Sequence, residues 1–171
     1  MKIILTGVPG TGKSSISRGL ARLLRVPLID INAVAKTIGK KRGKEVEVNL
    51  KKLQGKLSAK LRKLKSFVAE GHLASDVKLP ADLVVVLRCN PLVLSKRLRL
   101  RGYGNKKVAD NVMCEALDYC LVNAEKNYGR KKVIQVDATR RVSLPQLVRK
   151  IRAKRSDKVN WSPQLLMLAN R

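Results

Sequence analysis

Eight residues at the start of the chain could hold a triphosphate: Gly7-Val8-Pro9-Gly10-Thr11-Gly12-Lys13-Ser14 match G-x-x-x-x-G-K-[ST] in full. Three glycines permit a backbone that turns successive N–H groups inward, and a helix starting at Lys13 adds its partial positive end. In that pattern Lys13 reaches the β- and γ-phosphates and the Ser14 hydroxyl binds Mg²⁺. Gly10, Thr11, Gly12 and Ser15 complete the candidate phosphate contacts for ATP.

A metal held this way needs an acid at the end of a neighbouring strand, and Ser66-Phe67-Val68-Ala69-Glu70 ends in one. Glu70 is the candidate. His72, two residues on, either positions an attacking water or phosphate or hydrogen-bonds its own loop. Asp30 is a second acid at a strand end, with helix capping as its alternative role. Phosphoryl transfer also calls for arginines that neutralise developing charge. Arg97 and Arg101, four apart, are the candidates, and Gly102, Gly104 and Asn105 break the helix just after them.

These groups must be positioned by elements, and the chain alternates short β-branched runs with longer helical stretches, the pattern of an α/β fold with a parallel sheet covered on both faces. Strands are expected at Lys2–Thr6, Val26–Ile31, Ser66–Ala69, Asp82–Arg88 and Val133–Asp137. Helices are expected at Lys13–Leu24, Ala33–Ile38, Leu50–Leu64, Pro91–Leu100, Lys107–Asn127 and Ser143–Lys154. Leu50, Leu53, Leu57, Leu61 and Leu64 mark one packing face. Residues 153–171 read as a basic arm appended to the core.

The chain has 171 residues, room for one core, and no apolar run of membrane-spanning length, so a cytoplasmic protein is expected. Three cysteines and one histidine make a four-ligand zinc site a poor expectation. Lys and Arg number 38 against 12 acids, a formal charge of +26. Thermophilic adaptation raises Lys and Glu together, whereas here the acids are missing, so the excess points to a polyanionic neighbour such as RNA.

With these pieces placed, the chain resembles the adenylate kinase isoenzyme 6 family, small P-loop proteins tied to small-ribosomal-subunit maturation. The resemblance spans nearly the whole length. It rests on the phosphate loop, Glu70-Gly71-His72, Val85-Val86-Leu87-Arg88-Cys89-Asn90-Pro91, Arg97-Leu98-x-x-Arg101-Gly102-Tyr103, Asp110-Asn111-Val112 with Glu115, and Val159-Asn160-Trp161-Ser162. It implies a nucleoside-monophosphate-kinase-like P-loop fold. On this resemblance, residues 1–153 are expected to form the core with a five-stranded parallel sheet, an NMP-binding insertion over 30–53 and a lid over 100–110, with 154–171 as the arm.

The resemblance also implies ATP + AMP ⇌ 2 ADP chemistry with Mg²⁺, a slow ATPase, a monomer, and a platform protein of the small subunit and its rRNA as partners. Carried over by position, Gly10, Gly12, Lys13, Ser14 and Ser15 hold phosphates, Arg101 contacts ATP from the lid, and Glu70 and His72 act on the metal and γ-phosphate side. Two departures stand out. Glu70-Gly71-His72-Leu73-Ala74 carries no arginine to grip an AMP phosphate, and from Lys36 to Lys65 the only acids are Glu45 and Glu47. A module that binds ribonucleoprotein and uses ATP without turnover, and a kinase for another small substrate such as a different monophosphate or shikimate, are the alternatives.

Overall fold

The computed structural model describes residues 1–42 and 45–169. Gly43 and Lys44 of the basic stretch Lys36–Lys44, and Asn170 and Arg171 of the C-terminal segment, lie outside the described residues. Five parallel strands form one sheet in the order β2-β5-β1-β6-β7: β1 (Lys2–Thr6), β2 (Leu28–Asp30), β5 (Phe67–Glu70), β6 (Leu83–Arg88) and β7 (Val133–Asp137). The strands read as continuous apolar runs because both faces are covered. Ile3 and Leu5 of β1 pack with Leu83, Val85 and Leu87 of β6 under α1 (Lys13–Leu24) and α7 (Leu144–Ala153). Ile4, Val84 and Val86 pack on the other face with Leu53, Leu57 and Leu61 of α3 (Leu50–Arg62), and with Leu94 and Leu98 of α4 (Pro91–Leu100).

Strand order reverses at β1, whose neighbours are β5 and β6. The carboxyl edge at such a switch point is where an open α/β sheet leaves a crevice, and the phosphate loop issues from β1 into it.

The structure departs from the expected elements in several places. The Val26–Ile31 strand shortens to Leu28–Asp30 because the Asp30 carboxylate accepts from Ala33 N at 3.0 Å and starts α2 at Ile31, running to Ile38. Between α2 and α3 the chain forms an antiparallel pair, β3 (Lys40–Arg42) and β4 (Glu45–Glu47), with Lys40 opposite Glu47. Its strands, Lys40-Lys41-Arg42 and Glu45-Val46-Glu47, are too short and too polar to announce it. The single helix expected over Lys107–Asn127 is two, α5 (Asn105–Ala116) and α6 (Tyr119–Tyr128). The break falls at Asp118, which takes a left-handed φ of 57° and pairs its carboxylate with the Arg88 guanidinium. Beyond α7, Trp161 leads into α8 (Ser162–Ala169), which packs against α5.

Candidate functional site

The phosphate loop is held in shape by its own glycines. Gly10 and Gly12 both take φ of 94°, a left-handed conformation that a Cβ would strain. Gly7 approaches β6 so closely that a Cβ there would stand 2.4 Å from Leu87 O. Thr11 Oγ1 donates to Val8 O at 3.0 Å, so this hydroxyl braces the loop from within. Gly12 begins α1 with no side chain capping it, and Ser15 is exposed in the first turn.

Lys13 Nζ donates to the carbonyls of Gly7 at 2.9 Å and Val8 at 3.0 Å, lying across the mouth of the loop. Burial, with a smaller contribution from Arg101, lowers its pKa to about 8 against the opposing pull of Cys120, Glu70 and Glu115. Ser14 Oγ donates to Glu70 Oε1 at 2.8 Å, which unites the two residues singled out for the metal, 56 positions apart in the chain. Register explains the meeting: Leu5 of β1 lies beside Glu70 of β5, and Gly71 N closes the ladder onto Leu5 O at 3.2 Å. Glu70 is 5% exposed, and its second oxygen, Oε2, has no hydrogen-bond partner among the described residues. A buried carboxylate with one free oxygen beside a serine hydroxyl fits a hydrated divalent cation, whose waters donate and whose charge compensates the acid.

His72 opens a 3-10 turn, His72–Ser75, at the end of β5. Burial, then the charges of Lys13 and Lys107, push its pKa down to about 4, so the imidazole is neutral at pH 7. Its carbonyl accepts from Thr6 Oγ1 at 3.4 Å and Ser75 Oγ at 3.1 Å. Asp30 sits beside Glu70 in register, with one carboxylate oxygen committed to capping α2.

The two arginines have different surroundings. Arg97 donates to Ala138 O at 3.0 Å and Thr139 O at 2.7 Å, bracing the loop after β7. Arg101, at the end of α4, is exposed. Both line a cleft of about 560 Å³ with Gly10, Thr11, Gly12, Ser15 and Ile16 on one side and Ala138, Arg140, Arg141, Val142 and Leu144 on the other. Sequence reasoning missed Arg140 and Arg141. The signal available was topological: they follow the last parallel strand, whose carboxyl end opens on the same edge as the phosphate loop.

Among the described residues no three His, Cys, Asp or Glu side chains gather as a metal cluster, and no helix is long and apolar enough to cross a membrane. Cys89, Cys114 and Cys120 are free thiols.

A family model described as an AAA domain matches residues 3–118. The chain is 37% identical over 171 residues to a Thermococcus kodakarensis protein named "Putative adenylate kinase", covering 95% of this chain and 93% of that one. Among solved structures, a gluconokinase from Sinorhizobium meliloti superimposes with a TM-score of 0.58 at 18% identity, covering 89% of each chain. A deoxyadenosine kinase from M. mycoides with bound dATP superimposes with a TM-score of 0.57 at 17% identity, covering 90% of this chain and 98% of that one. At such identities the two structures speak for the fold alone, and the fold they share with this chain is that of P-loop kinases. By its matched domain and its Thermococcus relative, the chain belongs to the AAA-domain family of P-loop proteins and, within it, to the group that includes the Thermococcus kodakarensis protein named "Putative adenylate kinase".

Proposed function

We propose that the protein is an adenylate kinase that also hydrolyses ATP, and that it acts in maturation of the small ribosomal subunit. The observation that carries the enzymatic reading is the Ser14–Glu70 hydrogen bond at 2.8 Å beside Lys13, at the end of an arginine-lined cleft. Gly10, Gly12, Thr11 and Ser15 form the loop and first turn around the phosphates. Lys13 leaves the carbonyls of Gly7 and Val8 for the β- and γ-phosphate oxygens, and Ser14 and Glu70 hold the metal side. Mg²⁺, when bound, neutralises charge on those oxygens.

In the transfer, an oxygen of the AMP phosphate bonds to the γ-phosphorus as the bond to the β–γ bridging oxygen breaks, giving two ADP. Water in place of AMP gives ADP and phosphate. Arg101, free at the cleft mouth, closes on the transferring group, and Arg97 serves mainly by fixing the Ala138–Thr139 backbone. His72, neutral at pH 7, orients the attacking group by hydrogen bonding rather than by charge. Arg140 and Arg141 offer planar cations against the base of ATP.

The test supplies purified protein with ATP, with and without AMP, beside Lys13→Ala. ADP should form in both mixtures, faster with AMP, and Lys13→Ala should lower both rates by at least 100-fold. Absence of ADP from either mixture with the wild-type protein overturns the enzymatic reading.

A second reading, an assembly module that uses ATP as a conformational ligand, is favoured by the +26 charge and the exposed Lys51, Lys52, Lys56 and Lys60 of α3. Under either reading rRNA and a platform protein of the small subunit are the proposed partners. Few aromatic side chains are available for base stacking, so phosphate contacts would dominate RNA affinity.

A further inference from the structure

Two buried oxygens near the carboxyl edge of the sheet have no hydrogen-bond partner among the described residues, Glu70 Oε2 and Asn32 Oδ1. They flank one glycine. Glu70 precedes Gly71 in the chain, and a Cβ on Gly71 would stand 3.2 Å from Asn32 Oδ1 and 2.7 Å from Ile31 Cβ. The missing side chain at 71 is therefore what lets the start of α2 lie against the end of β5. The register does the rest: Asp30 pairs with Glu70 across β2 and β5, Asp30 caps α2, and Asn32 follows in the first turn.

Leaving a buried acceptor unmatched costs about 1–3 kcal/mol, so two of them together call for a ligand that satisfies both. Both atoms accept, so their partner must donate. A fully ionised phosphate offers only acceptors and is excluded. A ribose hydroxyl or an exocyclic amine donates but brings no positive charge to the buried Glu70, whose neighbouring cation, Lys13, is drawn to the phosphates when ATP binds. Waters of a divalent cation donate outward and bring that charge, and Mg²⁺ keeps several of its waters when bound.

The geometry points to Asn32 as a positioning residue for the hydrated metal: its Oδ1 accepts from one metal-bound water while Glu70 Oε2 accepts from another. Ser14, already hydrogen-bonded to Glu70 Oε1, is the direct ligand, and Asn32 acts one layer further out. The inference rests on the reading that the phosphate loop binds ATP.

Binding of a non-hydrolysable ATP analogue is measured by calorimetry for wild type, Asn32→Ala and Asn32→Asp, first in EDTA and then across a Mg²⁺ titration. In EDTA the three proteins should bind the analogue alike. With Mg²⁺, Asn32→Ala should need about 10-fold more free metal for half of its gain in affinity. Asn32→Asp keeps the acceptor and adds a negative charge, so it should match wild type or respond to less metal. A Mg²⁺ titration of Asn32→Ala that superimposes on wild type overturns the assignment. So does an Asn32→Asp protein as impaired as Asn32→Ala, because the amide would then be donating to Glu70 rather than accepting from water. Altered AMP affinity with an unchanged Mg²⁺ titration also overturns it, moving Asn32 to the acceptor side. If wild type binds no analogue with or without Mg²⁺, the ATP reading itself fails, an outcome distinct from the other three.

Discussion

Lys13 combines the lysine position of the phosphate-loop motif with a lowered pKa, because the same burial that aims its ammonium at the loop brings it down to about 8. Phosphate binding favours the charged form, so nucleotide affinity should fall as pH rises above 8, approaching tenfold per pH unit, with proton uptake on binding. Calorimetry in buffers of different ionisation enthalpy checks this, and Lys13→Ala should abolish the uptake. His72 works in the opposite range. Its folded pKa of about 4 lies below its usual 6.5, so as pH falls through that window the unfolded chain takes the proton first and stability declines. Urea denaturation at pH 7 and pH 5 should show a smaller difference for His72→Gln than for wild type. The glycines set a steric limit of their own. Gly10→Ala combines a left-handed φ with a Cβ only 2.7 Å from Leu94 Cδ1, and should lose nucleotide binding before it loses the fold.

At the scale of elements, the end of β6 is joined to α5, α6, β7 and the C-terminal segment through one buried arginine. Arg88, 1% exposed, donates from Nε to Glu115 Oε1 at 2.7 Å and from Nη1 to Gln135 Oε1 at 2.8 Å, and pairs with Asp118. Glu115 Oε1 also accepts from Cys89 N at 3.1 Å and Trp161 Nε1 at 3.0 Å. Burial pushes the Glu115 carboxyl up, while Arg88 and these donors oppose the shift and favour the ionised form. Removing one member leaves the other charges buried, so Glu115→Ala should cost about 3–5 kcal/mol in denaturant unfolding. Trp161→Phe, which deletes a single donor, should cost about 1 kcal/mol.

For the whole molecule, the +26 charge is the dominant long-range property. If six phosphates are neutralised, affinity for a structured RNA should fall about a thousandfold between 50 and 200 mM salt. Filter binding across that range checks it, and reversing Lys51, Lys52, Lys56 and Lys60 to Glu should flatten the salt dependence if α3 is part of the RNA surface.

What the sequence by itself determined is whatever depends on neighbours along the chain. Gly7 to Ser14, the buried runs of β1, β6 and β7, and Leu53, Leu57 and Leu61 of α3 are local patterns that fold where expected, whereas Leu50, at the start of the same stripe, is 40% exposed and Leu64 lies beyond the helix end. Glu70 was legible as well, because an acid ending an apolar run is a local signal. Only the tertiary structure decided the rest. Asp118 breaks a helical pattern because its partner, Arg88, lies 30 residues away, and Arg97, at the wall of the cleft, is committed to the carbonyls of Ala138 and Thr139, about 40 residues on. Asn32 joins Glu70 beside Gly71 through strand register, and Arg140 and Arg141 reach the phosphate loop through strand order. Such pairings arise from which strand lies beside which, and an unpaired oxygen or a braced guanidinium exists only once distant segments have met.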